Sequence, residues 1–293
     1  MMQSNPNGKP FFKKITILGI GLIGASLALA LKKNGLCNEV IGYGRTEKNL
    51  KKAKNKAIID AFDLDPAAAC KGSDLIVFAT PVGSFVAIAN RIKSALLSGV
   101  IVTDVGSVKG NLVRNMEKLM PEGTFFVGGH PIAGSNRSGI NSAEPDLFKD
   151  AKCIITPTEH TDKNALETVT SVWKNIGSSV TLIGPEEHDR IYALVSHLPH
   201  LIAYEIMHTV ADIDSSFLGF SGQGFIDTTR IASSSPELWR DICLLNKDNL
   251  LQSLEIFKKN LDRVSQYLRV HDSESLEKDF QKAHALREGI EQH

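Results

Sequence analysis

The sequence predicts an α/β fold in two parts: a mostly parallel sheet wrapped by helices, then an all-helical segment. Three observations predict it. Apolar, β-branched runs alternate with helical patterns through residue 184. The first of these runs ends in a glycine-rich turn. After Pro185 the helical periodicity continues, with no convincing strand.

Strand–helix alternation implies a parallel sheet covered on both faces, with right-handed connections. KKITILGIG (13–21) is apolar and ends in glycines, as a buried parallel strand should. A helix follows over 22–34, with Lys32 and Lys33 in its last turn and Gly35 as its stop. EVIGY (39–43) is the second strand, and 46–57 a charged helix capped by Thr46. SDLIVFATP (73–81) is the third strand; VIVTDVGS (100–107), TFFVGGHP (124–131), AKCIITP (151–157) and VTLIG (180–184) follow. Helices fit over 83–98, 109–119 and 162–177. Beyond Pro185, 188–211 reads as a long apolar helix bent at Pro199, and 238–270 as a second long helix. The expected organisation is a disordered segment over 1–12, a nucleotide-binding domain over 13–184, and a helical domain over 185–293. The last is apolar enough to need burial between two subunits, which predicts a homodimer.

Composition narrows the class. The 293 residues are 42% hydrophobic and 23% charged, as in a soluble globular protein. Thirty-three basic residues balance 33 acidic ones, so no global field favours nucleic acid or an anionic membrane. The four cysteines form no C-x-x-C pair and read as reduced thiols of a cytoplasmic protein. There is no signal-peptide pattern and no apolar run long enough to span a membrane.

GIGLIG places Gly19, Gly21 and Gly24 in G-x-G-x-x-G spacing between a strand and a helix. The first glycine permits the tight turn, the second lets backbone approach a pyrophosphate, and the third lets helix pack on strand. The helix N-terminus adds free N–H groups and a positive dipole. This is the fingerprint of a Rossmann-type dinucleotide site. About 20 residues further on such a site usually carries an acid for the ribose 2′-hydroxyl. Here Gly44 stands there, followed by Arg45 and Thr46. Without the acid a 2′-phosphate is not repelled, and Arg45 offers it a fork of donors. NADP is the expected cofactor, with NAD the alternative because Arg45 could stack on adenine without discriminating.

Two further loops, TDVGSVKG (103–110) and GGHPIAGSNRSG (128–139), end strands at the edge where such sheets bind ligands. They should bring Ser107, Lys109 and His130 together near the nicotinamide. His188, His197, His200 and Arg230 are the notable polar residues of the helical half.

With these loops the chain closely resembles the prephenate/arogenate dehydrogenase family over residues 13–270. The resemblance rests on ITILGIGLIGASLA, VFATPVG, TDVGSVKG, GGHPIAGSNRSG, EEHDRIYALVSHLPH and GFIDTTRIASSSPELWRDI, in that order. It implies a Rossmann domain with a helical dimerisation domain. It also implies oxidative decarboxylation of prephenate to 4-hydroxyphenylpyruvate, or of arogenate to tyrosine. The ring carbon bearing the hydroxyl gives hydride to the nicotinamide while the ring carboxylate leaves as CO2.

The resemblance also assigns roles. His130 handles the hydroxyl proton and Ser107 orients it, unless Ser107 serves as a helix N-cap. Cofactor contacts are expected at Gly19, Gly21, Leu22, Ile23, Gly24, Gly44, Arg45, Thr46, Thr80 and Pro81. Substrate contacts are expected at Ser107, His130, Ser135, Asn136, His197, His200 and Arg230, with Arg230 meeting a carboxylate. His188 matches another histidine near the site, and Trp239 packs beside the pocket or in plain core. Some members carry an acid where this chain has Asn136; the amide, with Arg137 beside it, leans toward prephenate over arogenate. No metal is expected, because nothing completes the His197/His200 pair with ligand spacing. No regulatory domain or fused mutase is expected either.

Two other readings remain. A β-hydroxyacid dehydrogenase would need a lysine in the helical part, and only Lys247 could be nominated between residues 186 and 257. A catalytically dead nucleotide sensor would have lost His130 and Ser107, and both are present.

Overall fold

The computed structural model describes residues 12–133 and 139–291. In chain order the elements are β1 (Phe12–Leu18), α1 (Leu22–Lys33), β2 (Cys37–Tyr43), α2 (Glu47–Asn55), β3 (Ala61–Asp63), α3 (Pro66–Cys70), β4 (Leu75–Phe78) and α4 (Phe85–Ile92). Then come β5 (Ile101–Asp104), α5 (Gly110–Leu119), β6 (Phe125–Ile132), β7 (Lys152–Thr156), α6 (Lys163–Asn175) and β8 (Ser179–Leu182). The helical part is α7 (Pro185–Tyr192), α8 (Leu198–Asp214), α9 (Gln223–Thr229), α10 (Pro236–Leu245), α11 (Lys247–Arg269) and α12 (Ser273–Glu291).

The strands form one sheet in the order β3-β2-β1-β4-β5-β6-β7-β8. Pairing is parallel except between β6 and β7. The chain reverses across the sheet between β1 and β4, which opens a crevice at their carboxyl ends. Alternation along β1 divides the core. Ile15 and Ile17 face one side with Ala28 of α1 and Trp173 of α6. Leu18 faces the other with Ala69, Phe85 and Val113 of α3, α4 and α5. Helices thus cover both faces, as the sequence predicts.

Several elements differ in detail from the sequence reading. β3 and α3 lie in a stretch where the sequence shows neither. The helix expected over 83–98 is α4 between two 3₁₀ turns. Thr46 does occupy the N-cap of α2, but its side chain makes no capping bond. The expected 188–211 helix is interrupted by a π-helical turn over Ala193–His197. Pro199 lies one turn into the same continuous helical backbone, and its missing N–H leaves the Val195 carbonyl inside the π turn without its i→i−4 donor, so the irregularity falls where the proline interrupts the ladder. The expected 238–270 helix is two helices separated at Asn246.

The compact units divide after Asn246, so the helices that follow residue 184 have members in both units. The reason is packing: α7 buries His188 and Asp189, and the Lys109 N–H donates to the Asp189 carboxylate (2.7 Å). In the second unit α12 packs on α11, and Arg263 pairs with Asp279 at 3.1 Å.

Gly24 shows how tightly helix meets strand: a Cβ there would lie 2.0 Å from the Gly19 carbonyl oxygen. Gly24→Ala is therefore expected to destabilise the protein by about 1–3 kcal/mol. Urea unfolding measures this; an unchanged midpoint would mean that α1 shifts freely.

Candidate active site

The crevice at the switch between β1 and β4 holds a cavity of about 540 Å³. Gly19, Gly21, Gly44, Arg45, Thr46, Thr80 and Pro81 line it, all expected from the sequence. Gly19 adopts φ +106°, and a Cβ there would meet the Ala79 carbonyl carbon at 2.6 Å. Gly21 has open space where its Cβ would be, and it starts α1 without a side-chain cap. A bare helix N-terminus beside an open glycine suits a pyrophosphate. Leu22 and Ile23 stand on the first turn of α1, where Ile23 packs against the core. The lining acids Glu237 and Asp241 come from α10, and Asp241 pairs with Arg240 at 2.7 Å. The residues present therefore fit a dinucleotide.

A second cluster forms behind the ends of β5 and β6. Lys109 is fully buried and gives its ammonium to Asp104, instead of turning toward a nicotinamide. Asp104 also accepts the N–H groups of Gly106 (2.8 Å) and Gly129 (3.0 Å). The Lys109 backbone N–H donates to Asp189, whose Oδ1 also lies 2.8 Å from His188 Nδ1. His188 Nε2 lies 2.8 Å from His130 Nδ1. Tyr192 stacks on His188 (centroids 4.4 Å) and leans on His130 (4.9 Å).

The helical residues flank this cluster. Asn246 donates to the Asp189 carbonyl (2.8 Å) and lies 3.1 Å from His197 Nδ1. His197 is buried, and the Ser107 backbone on the loop after β5 is a polar group close beside it. Trp239 stacks on His200 at 3.5 Å and meets His197 edge-on at 6.0 Å. Arg230 sits close enough to oppose a charge on His200. Ser107 is half-buried on the loop after β5. Ser135, Asn136 and Arg137 lie outside the described residues.

Comparison with known proteins decides the family. The profile of the prephenate dehydrogenase nucleotide-binding domain matches residues 27–182, and that of the prephenate dehydrogenase dimerization domain matches 184–282. The chain belongs to the prephenate dehydrogenase family. It is 35% identical to the prephenate dehydrogenase of Bacillus subtilis, over 94% of this chain and 76% of that protein. It is 33% identical to the cyclohexadienyl dehydrogenase of Zymomonas mobilis, over 94% and 95% of the two chains. The crystal structure of the A. aeolicus prephenate dehydrogenase with hydroxyphenyl propionate and NAD+ superposes with a TM-score of 0.90. That pair is 34% identical, with coverage of 95% of this chain and 98% of that one. Like its family, the chain is an NAD(P)-dependent dehydrogenase.

Several parts of this dehydrogenase's site escaped the sequence reading, namely Asp104, Asp189, Tyr192 and Asn246. One signal was available: Pro185, His188, Asp189 and Ala193 are buried at helical spacing, a stripe hidden by the charges of EEHDR.

Burial keeps the histidines neutral. It holds His130 well below the ordinary imidazole range, helped by His188 and the Lys109 cation. It pushes His188 down to about 2 and His197 down to about 4. Burial also raises Asp189 to about 6. The unfolded chain protonates its histidines near pH 6.5 and so binds more protons than the folded one as pH falls below that. The stability these three histidines contribute is therefore present above pH 6.5 and lost on acidification. Asp189 works oppositely between its ordinary value and about 6, but it is one group against three. Stability is expected to be lower at about pH 5.5 than at about pH 7.5, by on the order of 2–3 kcal/mol. Urea unfolding at the two pH values checks this; equal stability would contradict neutral buried histidines.

Proposed function

We propose that this enzyme oxidatively decarboxylates prephenate to 4-hydroxyphenylpyruvate, with NADP as the preferred hydride acceptor. The observation that carries the reading is a buried, neutral His130 at the end of β6, in the family's sequence context. A neutral imidazole takes a hydroxyl proton; an imidazolium cannot. Bound NAD(P) supplies the hydride acceptor. His130 takes the proton of the ring hydroxyl as that carbon gives up its hydride, and returns it to the ring oxygen once the ring carboxylate has left as CO2 and the ring is aromatic. Ser107 orients that hydroxyl. The guanidinium of Arg230 meets a carboxylate of the dianionic substrate, with His197 and His200 beside it. Ser135 and Asn136 complete the substrate set in this reading, and Asn136 sets no carboxylate against an anionic substrate.

Arg45 supports the cofactor assignment. It lines the cavity beside Gly44, whose missing acid leaves nothing at the β2 end to repel a 2′-phosphate. Exposed apolar side chains on α8 and the turn after it, such as Ile213 and Phe220, support a homodimer. So does the match to a dimerization domain. The free cysteines suit the reducing cytoplasm. No helix among the described residues is long and apolar enough to cross a membrane.

Steady-state assays pairing prephenate or arogenate with NAD or NADP test the whole reading. Fastest turnover is expected for prephenate with NADP. Faster turnover of arogenate would shift the reading to an arogenate dehydrogenase; no turnover with any pair would end it. Arg45→Ala should raise the KM for NADP roughly 10- to 100-fold, as for the loss of one charge-assisted bond, and leave NAD nearly unaffected. Equal effects on both cofactors would mean that Arg45 does not read the 2′-phosphate. His130→Asn should lower kcat by about 10²- to 10⁴-fold while NADP still binds in a fluorescence titration. Unchanged turnover would remove His130 from the chemistry.

A further inference from the structure

Catalysis by an imidazole depends on which of its nitrogens carries the hydrogen. A neutral His130 with hydrogen on Nε2 could offer a substrate hydroxyl no base there; with hydrogen on Nδ1 it could. The side chains behind His130 decide between the two.

The direction of the hydrogen-bond chain can be read from its far end. Asp189 Oδ1 accepts the Lys109 backbone N–H at 2.7 Å. As a carboxylate it has no hydrogen to give, so the 2.8 Å contact with His188 Nδ1 has His188 donating. Nδ1 of His188 then carries its hydrogen. A neutral His188 is left with a lone pair on Nε2. That lone pair faces His130 Nδ1 at 2.8 Å, so His130 must donate from Nδ1. The lone pair of His130 then resides on Nε2.

We propose that Asp189 and His188 act as positioning residues that hold His130 as its Nδ1–H tautomer, with Nε2 as the proton-accepting atom. Neither residue touches the reacting atoms in this account.

The surroundings keep the chain in one direction. His188 is completely buried, and Asp189 nearly so. Tyr192 stacks on the His188 ring and fixes its plane. Asp189 is itself held by Lys109 through its carboxylate and by Asn246 through its carbonyl. Lys109 has its own counter-ion in Asp104, so its ammonium does not compete for the Asp189 carboxylate. Outer partners that fix the tautomer of a metal-bound histidine typically matter 10- to 100-fold, and an effect of that order is expected for His130.

The proposal rests on His130 being the proton acceptor, but its test does not need turnover. Nitrogen-15 NMR of the enzyme labelled at histidine distinguishes imine-type from pyrrole-type ring nitrogens. His130→Asn identifies which resonances belong to His130. The expected result for the wild-type protein at neutral pH is a pyrrole-type Nδ1 and an imine-type Nε2. A pyrrole-type Nε2 would overturn the proposal whatever the substrate proves to be.

Two variants then separate positioning from simple packing. The His188→Gln carbonyl can still accept from His130 Nδ1, whereas His188→Leu cannot. His188→Leu is expected to lower kcat by on the order of 10- to 100-fold with a smaller change in KM, and to show hydrogen on His130 Nε2. His188→Gln is expected to recover most of that loss and the wild-type nitrogen pattern. Equal losses in His188→Leu and His188→Gln, with the wild-type tautomer intact in both, would leave His188 a packing residue and overturn the proposal. Should His188→Leu fail to fold, the wild-type spectrum and His188→Gln still decide. A wild-type spectrum as expected, in an enzyme that turns over neither prephenate nor arogenate, would retain the tautomer and discard the reaction.

Discussion

The buried pairing of Lys109 with Asp104 is the interaction on which the site depends. One carboxylate gathers the Lys109 ammonium and the N–H groups of Gly106 and Gly129. It thereby joins the loop after β5 to the start of the His130 segment on β6. An ion pair in the interior gains little net stability, because both charges are taken out of water. Breaking one is costly, about 3–5 kcal/mol, because the surviving charge has no solvent. Asp104 and Lys109 are thus bound to each other by the cost of separation. The backbone N–H of Lys109 is fixed as a by-product, and that N–H carries Asp189.

Two regions of different character meet within the first compact unit. The nucleotide cavity is built largely from backbone: glycines without side chains, a bare helix N-terminus and the turn after β4. The histidine cluster behind β5 and β6 is built from side chains, in which Lys109, Asp189, His188 and His130 each hold the next. Backbone suits a cofactor whose phosphates need many N–H donors at close range. Side chains suit a proton transfer, where the ionisation of one group has to be tuned by its neighbours. Parallel strands bring both to the same edge of the sheet.

The parts that were legible in the sequence share one property: their signal is local. Strand, glycine turn and helix follow each other within 13–34, so β1, α1 and the cavity glycines could be read directly. Arg45 was visible because its position is counted from that turn. β3 was not visible, because three half-buried residues leave no alternation to detect. The reversal of β7 against β6 was not visible either, because strand direction is decided by a connection and not by the strand's own residues. Asp189 and Asn246 were missed for the same reason. Their partners lie far off along the chain, and EEHDR reads as a solvated first turn until its buried face is known. Pro199 marked the irregular turn in the sequence, but its form, a π turn over Ala193–His197 in place of a kink, was not legible there.

That π turn has a consequence for how the chain tolerates change. A turn closed by i→i+5 bonds takes up one residue more than an α-turn. Deleting a single residue from it would produce a smoother helix, with better backbone geometry than the protein now has. The wider turn has absorbed that residue, so the side chains beyond it would keep nearly the phase they have now. His200 would stay by Trp239 and Tyr204 by the Ser234 carbonyl, whereas a deletion from the regular turns of α7 would turn both away by about 100°. The π turn is therefore the place where this helix can give up a residue without re-aiming its far half, and its exposed residues, Leu194 and Val195, set no packing limit there.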